Sequence, residues 1–385
     1  MHLLVEQAET SQLPNPDPPY YDSPLRSWIE AIRMGCSNAH AALVLSMAVN
    51  VEELQLKDFK ETSWTNAVVE AALDGNYMGS QPRQCFNKLR VLKLYRISPD
   101  LENCFPWIEL PDLERLKCKD IAYRGTNSRR SSSNINLRPC FVDCRDLEVR
   151  LSHRSPYAFT RTLLLGISTL ESLKITIAHS VWEPTNDMHF RTALRYLDMS
   201  SKESLKRIQL LYTAKAWSSN RPPLPRMDVV FDPFNAYTSL TDLTVDHSDL
   251  LGFNCISHTT LILSDRLPIS LVNLAIIFNN DTTNSYQTEY DSLKVRLERF
   301  VIHLTELATT CAWKLPNLKS VRIHGYRLTE SLDSFRDVFT SETGVADAFE
   351  AAGVDFQLEG AWTWARGVLV PDWRWEKKWN AIRKL

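Results

Sequence analysis

Glycine is scarce in this chain, with 11 residues among 385. The sequence contains no GxGxxG, GxxxxGKS/T, GxSxG or HExxH motif, and these are the patterns of nucleotide, phosphate, acyl-transfer and zinc chemistry. A phosphate-binding loop needs glycine because its backbone must approach the anion closely. We therefore predict a protein that is not an enzyme and that uses no cofactor and no metal.

The chain also lacks a basic excess, an export signal and a long apolar run. Its 44 Lys and Arg residues face 46 Asp and Glu residues, whereas a generic nucleic-acid binder is strongly basic. The longest apolar stretch covers residues 40–49, which is shorter than the roughly 20 residues that cross a bilayer. The first residues, MHLLVEQAETSQL, have no basic region of the secretory type. We expect an intracellular protein, cytoplasmic or nuclear, that binds neither nucleic acid nor membrane.

What the sequence does contain is a recurring L-x-x-L-x-L unit in which Val, Ile or Cys replaces some leucines. Copies occur at residues 51–56, 89–94, 113–118, 144–149, 170–175, 205–210, 240–245, 271–276 and 318–323. Each L-x-L pair predicts a short strand whose alternate residues point inward. One such strand cannot bury its apolar side alone, so successive strands must stack side by side.

The segments between these units have helical rather than strand periodicity. Amphipathic helices are predicted at residues 23–32, 65–73, 159–167, 187–197 and 292–307. Strands that alternate with helices favour a parallel sheet. The predicted fold class is therefore α/β: an irregular leucine-rich-repeat solenoid with the parallel sheet on its concave face and the helices outside. The unit starts lie between 24 residues apart (89 to 113) and 47 residues apart (271 to 318), which predicts uneven connecting segments.

Three regions fall outside the repeat pattern. Residues 1–22 are rich in proline towards their end and predict a flexible arm before a solenoid at residues 23–360. Residues 124–138 (RGTNSRRSSSNINLR) are basic and serine-rich, and predict a disordered insertion between repeats. Residues 361–385 hold five of the eleven tryptophans and predict a C-terminal cap, because the last apolar layer of a solenoid needs a cover.

Irregular units of this kind, joined by helices and closed by a helix and a strand, resemble the repeat region of fungal F-box/leucine-rich-repeat proteins. The segments that carry the resemblance are ALVLSMAVNVEELQL (42–56), FNKLRVLKL (86–94) and ADAFEAAGVDFQL (346–358). In that family an F-box docks the adaptor of a cullin-type ubiquitin ligase, and the repeats hold the substrate. The resemblance thus implies substrate recognition, with a ligase adaptor as a partner only if an F-box is present. The Leu-Pro pair that opens an F-box occurs as Leu13-Pro14, but Asn-Pro-Asp-Pro-Pro follows it and prevents a helix.

The residues between the apolar positions form the predicted contact face for a protein partner. The predicted binding residues are Lys93, Tyr95, Arg115, Lys117, Lys119, Arg150, Lys174, Tyr212, His247 and Arg322. The same face is predicted to carry Glu53, Gln55, Lys57, Glu148, Arg207, Gln209, Thr244, Asp246, Phe278 and His324. Its first half is rich in Lys and Arg, which favours an acidic or phosphorylated segment as the ligand; an ordinary solvated sheet surface is the alternative. In the run Arg129-Arg130-Ser131-Ser132, basic residues precede hydroxyls, so Ser131 and Ser132 are candidate phosphorylation sites.

Other candidate sites have a structural explanation that we prefer. His247 lies among acidic residues and has the chemistry of a base or metal ligand, but no second ligand stands at a metal-site spacing. Cys140 and Cys144 are a candidate thiol pair, although Cys144 occupies an apolar repeat position. The tryptophan-rich end, with Trp362, Trp364 and Trp373, supports an alternative function as a small-molecule-binding protein or an enzyme.

Overall fold

A computed structural model describes two compact units, which are formed by Met1–Leu170 and Glu171–Leu385. The residues that it describes in the first unit are 24–47, 50–57, 65, 68–69, 86, 88–95, 110, 112–121, 143–151, 163–167 and 169–170. In the second unit they are 171–179, 190–197, 199–214, 234–251, 262–279, 293–326, 344–365 and 368–371.

The first unit consists of two helices followed by a parallel sheet. Its elements are α1 (Pro24–Arg33), α2 (Ser37–Ser46), β1 (Glu53–Lys57), β2 (Val91–Tyr95), β3 (Arg115–Ile121) and β4 (Asp146–Leu151). Each strand pairs in parallel with the next strand of the chain, from β1 to β4. Helix α1 confirms the helix predicted at residues 23–32, and its Trp28 is fully buried.

The second unit alternates strands with helices, most of which are shorter than those of the first unit. Its elements are β5 (Ser172–His179), α3 (Phe190–Arg195), α4 (Met199–Ser204), β6 (Arg207–Ala214), β7 (Asp242–Asp246), α5 (His247–Leu251), β8 (Asn273–Asn279), α6 (Leu293–Lys314), β9 (Ser320–Tyr326), α7 (Val345–Ala351), β10 (Asp355–Ala365) and β11 (Val368–Pro371). Strands β5 to β10 pair in parallel and in chain order, and β11 returns antiparallel to β10. The predicted α/β class with a parallel sheet is confirmed within each unit.

Each of the strands β1 to β9 overlaps one L-x-x-L-x-L unit, so strand residues can be numbered from the first apolar residue of the unit as position 1. Positions 4 and 6 face the core. The position-4 side chains form in-register rows, Leu54–Leu92–Leu116–Leu147 in the first unit and Leu173–Ile208–Leu243–Leu274–Val321 in the second. From Leu92 to Val321 these side chains are at most 2% exposed. The apolar alternation seen in the sequence is therefore the packed layer of each unit.

Main-chain hydrogen bonds repeat with the same period. The carbonyl at position 2 of one unit accepts hydrogen bonds from the backbone N–H groups at positions 2 and 3 of the next unit, as Glu52 does from Arg90 and Val91 at 2.9 and 3.0 Å. The pattern recurs from β1 to β4 and again from β5 to β9, with N···O distances of 2.8–3.2 Å. One carbonyl per unit thus fixes the register of the following strand.

A tight turn precedes position 1 in many of the units. The N–H of Leu89 donates to the carbonyl of Phe86 at 3.0 Å, and the same bond links Leu318 to Leu315 at 2.9 Å. Phe86 and Leu315 are buried, with 1% and 2% exposure. The repeat therefore begins with an apolar residue three positions before the first Leu, which the L-x-x-L-x-L pattern omits.

The longest helix, α6, extends the helix predicted at residues 292–307 by about two turns. Its buried face carries Phe300, Leu304, Leu307 and Cys311 at the spacing of an amphipathic helix. On its opposite edge, the Glu306 carboxylate accepts hydrogen bonds from the backbone N–H of Leu263 at 3.0 Å and from Ser264 Oγ at 2.8 Å. This carboxylate holds the short 3-10 turn Leu263–Arg266 against the helix.

Helix α7 ends at a glycine that allows the chain to turn directly into β10. Gly353 has φ of +73°, and the N–H groups of Gly353 and Val354 donate to the carbonyls of Glu350 and Phe349. This paired hydrogen bonding is the usual glycine-terminated helix end, which needs a left-handed residue. The helix followed by a strand, expected at residues 346–358, is confirmed.

Several sequence predictions lie outside the described residues. These are the arm at residues 1–22, the insertion at 124–138 with Ser131 and Ser132, Cys140, and the tryptophans at 373, 375 and 379. Trp362 and Trp364 lie in β10, where the backbone pairs with β11. None of the helices formed by the described residues has the length and the apolar character needed to span a bilayer.

Candidate protein-binding face

The outward side of the first unit's sheet presents three rows of side chains, which we name by repeat position. Row 3 consists of Glu53, Val91, Arg115 and Asp146, row 5 of Gln55, Lys93, Lys117 and Glu148, and row 7 of Lys57, Tyr95, Lys119 and Arg150. Most of these residues are half-buried or exposed, since alternate residues of a strand point away from the core. The structure thus brings six of the ten predicted binding residues onto one face.

Carboxylates on neighbouring strands bind the cations of rows 3 and 5. Lys93 Nζ lies 2.5 Å from Glu53 Oε1. The Arg115 guanidinium donates twice to Asp146 Oδ2, at 3.1 Å from Nε and 2.8 Å from Nη2. Lys117 pairs with Glu148. Counting Lys and Arg residues in the sequence therefore overstated the net positive charge of this face, because the ion pairs become visible only when the strands are placed in register.

Row 7 contains no carboxylate. Lys119 Nζ lies 5.8 Å from the centre of the Tyr95 ring, within reach of a cation–π interaction, and 3.5 Å from Glu148 Oε1 of row 5. Burial lowers the pKa of Lys119, and the neighbouring Lys117 lowers it further, while Glu148 opposes both effects. The side chain of Lys119 is 23% exposed, so its charged group is partly withdrawn from water.

The remaining predicted binding residues belong to the second unit. Lys174 and Arg322 occupy position 5 of β5 and β9, opposite Gln209 and Ala275 in the neighbouring strands. Tyr212 lies in β6, opposite Ile177 in the backbone register. Lys174 and Arg322 thus lie opposite uncharged residues. Among the described residues of the second unit, no row of neighbouring cations comparable with row 7 is present.

The prediction that Asp246 and Phe278 face outward is wrong, and His247 is also largely withdrawn. Asp246 is 4% exposed, Phe278 is fully buried, and the side chain of His247 is 12% exposed. Phe278 falls at position 8, which has the same parity as positions 4 and 6. The chain enters α5 at His247, so its ring stacks on Phe278 at 4.3 Å and meets the edge of Phe300 at 6.0 Å. His247 Nδ1 lies 3.2 Å from Asp246 Oδ1, and the pair belongs to the packed interior.

Two cysteines of the first unit, Cys118 and Cys144, are core residues. Cys118 and Cys144 are fully buried at positions 6 and 1 of their units. Burial raises the pKa of Cys118 far above its ordinary value and that of Cys144 to about 12. Both are free thiols that stay protonated at neutral pH, and a protonated buried thiol is a poor nucleophile.

Among the described residues, no group of three or more His, Cys, Asp or Glu side chains is arranged to hold a metal ion. The acidic partners in rows 3 and 5, Glu53, Asp146 and Glu148, were not among the binding residues predicted from the sequence, and Asp146 was not predicted to lie on the face. Aligning the repeats position by position would have revealed them, since Arg115 and Asp146 share position 3 while Lys117 and Glu148 share position 5.

The chain matches no protein-family model, and a search of curated proteins gives no significant match. The functional assignment therefore depends on the face itself.

Proposed function

We propose that this chain is a non-catalytic protein-interaction module, built as an irregular leucine-rich-repeat solenoid with its sheet on the concave side and its helices outside. The observation that carries this proposal is the outward face of β1 to β4. There, charged side chains and Tyr95 stand in register on a sheet whose other side is packed from β2 to β4.

Two features of this face support a protein ligand. Tyr and Arg residues are frequent interface hot spots, and Tyr95, Arg115 and Arg150 all lie on this face. The strands of the sheet are hydrogen-bonded to one another, so the side chains of the face are already positioned. Ordering them on binding a partner would therefore cost less conformational entropy. The resemblance to F-box/leucine-rich-repeat proteins adds the proposal that the partner is a substrate of a cullin-type ubiquitin ligase.

The test is quantitative capture of partners by the tagged full chain, followed by mass spectrometry. A triple variant, Lys117→Glu, Lys119→Glu and Arg150→Glu, reverses three charges of the face. We expect it to lose a partner that the unmodified chain captures. Co-purification of a cullin adaptor with the unmodified chain would support the ligase role.

A matched control reverses the same number of charges elsewhere, at Lys88, Lys202 and Lys319, which lie outside rows 3, 5 and 7. We expect the control to capture the partner normally. Equal capture by all three proteins would place the binding surface elsewhere, and the absence of any reproducible partner would contradict the interaction role itself.

A further inference from the structure

Helix α6 exposes apolar side chains to water along one of its faces. Ile302 and Trp313 are 66% and 68% exposed. The two residues lie eleven positions apart in the helix, so they share one face and are separated by about 17 Å along the axis. We name this face the α6 stripe, and its residues are Ile302, Thr305, Thr309, Ala312 and Trp313.

The α6 stripe contains no charged side chain. Within residues 300–313 only His303 and Glu306 are acidic or basic. His303 is buried, and the Glu306 carboxylate binds the turn Leu263–Arg266 beside the helix. The water-facing side of a surface helix normally carries charged and polar residues. A face of about three turns without a charge is therefore better suited to contact with another apolar surface than to water.

The two threonines of the α6 stripe add little polarity to it. Thr305 Oγ1 donates to the carbonyl of Val301 at 2.9 Å, and Thr309 Oγ1 donates to the carbonyl of Glu306 at 2.9 Å. Both hydroxyl protons are therefore already used within the helix. A second surface could cover these threonines without leaving their donors unsatisfied.

Exposed isoleucines of the neighbouring turn extend the apolar surface. Ile262 directly precedes the turn that Glu306 holds against α6, and Glu306 is one helical turn after Ile302. Ile269 lies near the carboxyl end of α6, where its carbonyl accepts a hydrogen bond from Asn317 Nδ2 at 3.0 Å. Among the side chains that the structure describes in the second unit, the exposed large apolar ones are Ile262, Ile269, Ile302 and Trp313. They are thus concentrated on one helix and the turn beside it.

The indole of Trp313 is held in place although most of it is exposed. Lys314 Nζ lies 5.0 Å from the centre of the ring, within reach of a cation–π interaction, and Lys314 also pairs with Asp265 of the turn. A large side chain that is already positioned loses less conformational entropy when another surface covers it. Tryptophan is also among the residues that contribute most binding energy at protein interfaces.

We propose that the α6 stripe is the contact between two copies of this chain, with their α6 helices packed antiparallel about a two-fold axis. The stripe is self-complementary under this rotation. With the axis level with residues 307 and 308, Ile302 of each copy faces Trp313 of the other. Because Thr305, Thr309 and Ala312 are small, the helix axes can approach to about 8 Å between these two apolar contacts.

The antiparallel direction also suits the charges of the helix. A parallel pair would bring Lys314 of one copy beside Lys314 of the other, and like charges repel. The antiparallel pair separates these two residues by about 20 Å along the axis. It also places the positive end of each helix dipole beside the negative end of the other.

The size of the surface predicts a weak, reversible dimer. Trp313 and the three exposed isoleucines leave on the order of 400 to 500 Å² of apolar area in water. Covering this area on both copies removes about 1,000 Å² at most, which is near the lower limit of specific protein interfaces. We therefore expect a dissociation constant in the micromolar range.

The experiment is sedimentation velocity of the purified full chain over a concentration series from about 1 to 200 µM, which spans the expected dissociation constant. We expect one monomer–dimer equilibrium. Thr309→Arg places a long charged side chain where the two helices approach most closely, so it should weaken dimerisation at least 30-fold, by an order-of-magnitude estimate. Arginine is a good helix former, and the position is exposed, so the fold should be retained. The control Met34→Arg changes an exposed apolar residue of the first unit and should alter the dissociation constant by less than about two-fold.

A pair of opposite charges tests the antiparallel register. Ile302→Lys and Trp313→Glu should each prevent dimerisation over this concentration range, because each places two charges in apolar contacts. An equal mixture of the two variants should dimerise. The new lysine of one copy then faces the new glutamate of the other, and the unaltered Ile302 and Trp313 meet at the second contact. Circular dichroism verifies that each variant folds.

An unmodified chain that stays monomeric at every concentration would overturn this inference. Dimerisation that Thr309→Arg leaves unchanged would do the same, as would growth into larger assemblies, because a two-fold contact closes at the dimer. Charge variants that stay monomeric when mixed would refute the antiparallel pairing. Capture of another protein by the outward face of β1 to β4 is measured separately, so its success or failure does not decide the outcome.

Discussion

Replacing Leu116 by alanine is expected to destabilise the first unit strongly. Leu116 is fully buried at position 4 of β3, between Leu92 and Leu147 in the adjacent strands. The substitution removes three buried carbons, which are worth about 0.8 kcal/mol each in transfer free energy. The cavity that remains adds to this loss, so the free energy of unfolding should fall by about 3 to 4 kcal/mol.

Leu54 supplies a matched control, because it is the same residue type at the same repeat position. It lies in β1, which is paired on one side by β2, and its side chain is only half-buried. Leu54→Ala should therefore cost about 1 kcal/mol, since part of its surface is already in water. The comparison separates the loss of stability due to burial in the position-4 row from the intrinsic effect of replacing leucine by alanine.

The assay is urea denaturation followed by far-UV circular dichroism, combined with hydrogen exchange of the segment that contains β3. A double-mutant cycle with Leu92→Ala adds a test of proximity, because neighbouring core residues share a cavity and their effects are not additive. Equal losses from Leu116→Ala and Leu54→Ala would refute the in-register packed row. Strict additivity of Leu92→Ala and Leu116→Ala would argue against their direct contact.

Two further predictions concern buried thiols and a half-buried carboxylate. Burial raises the pKa of the Cys118 and Cys144 thiols, so the unfolded chain ionises first, and stability should be unaffected below the ordinary thiol pKa of 9.0 and should fall as pH rises above it. Cys118→Val should reduce this alkaline slope by up to about 1.4 kcal/mol per pH unit, as measured by urea denaturation at pH 8 and pH 10.5, and an unchanged slope would contradict the assignment. Glu306→Ala should cost about 1 to 3 kcal/mol, because the Leu263 N–H and the Ser264 hydroxyl lose their acceptor. Glu306→Gln, which keeps an acceptor oxygen, should lose less, and hydrogen exchange at Leu263 should separate the two variants; identical exchange would show that the carboxylate does not hold this turn.

The sequence was most informative about the packed side of each strand. Leu92 and Leu116 could be placed in the core because alternation has a fixed period of two and a single buried face. Phe278 could have been placed there by the same count, since it lies two residues after Ile276. The prediction for Phe278 failed because residues beyond the six-residue unit were assigned to the outward face without counting that even-numbered positions face the core.

The outward face was harder to predict, because its chemistry depends on contacts between strands. Lys117 reads as a free cation in the sequence, and only the register of β3 with β4 brings Glu148 beside it. The burial of His247 had no local signal either. The five-residue helix that begins there is too short to give a periodic pattern, and the aromatic rings around it come from β8 and α6.

The hydrogen bonds that join successive units have a consequence for how such a chain tolerates change in length. Because the carbonyl at position 2 and the two N–H groups that it accepts are main-chain atoms, neither the identity nor the number of residues in the connecting segments enters the junction. The first-unit connections between successive starts already differ, with 38 residues from 51 to 89 and 24 from 89 to 113, yet their strands keep one register. A residue inserted between units lengthens only the connecting segment. A residue inserted within a unit would move the core-facing side chains that follow it to the outward face of the strand. Connecting segments can therefore lengthen or be replaced over evolution while the outward face of the strands stays constant.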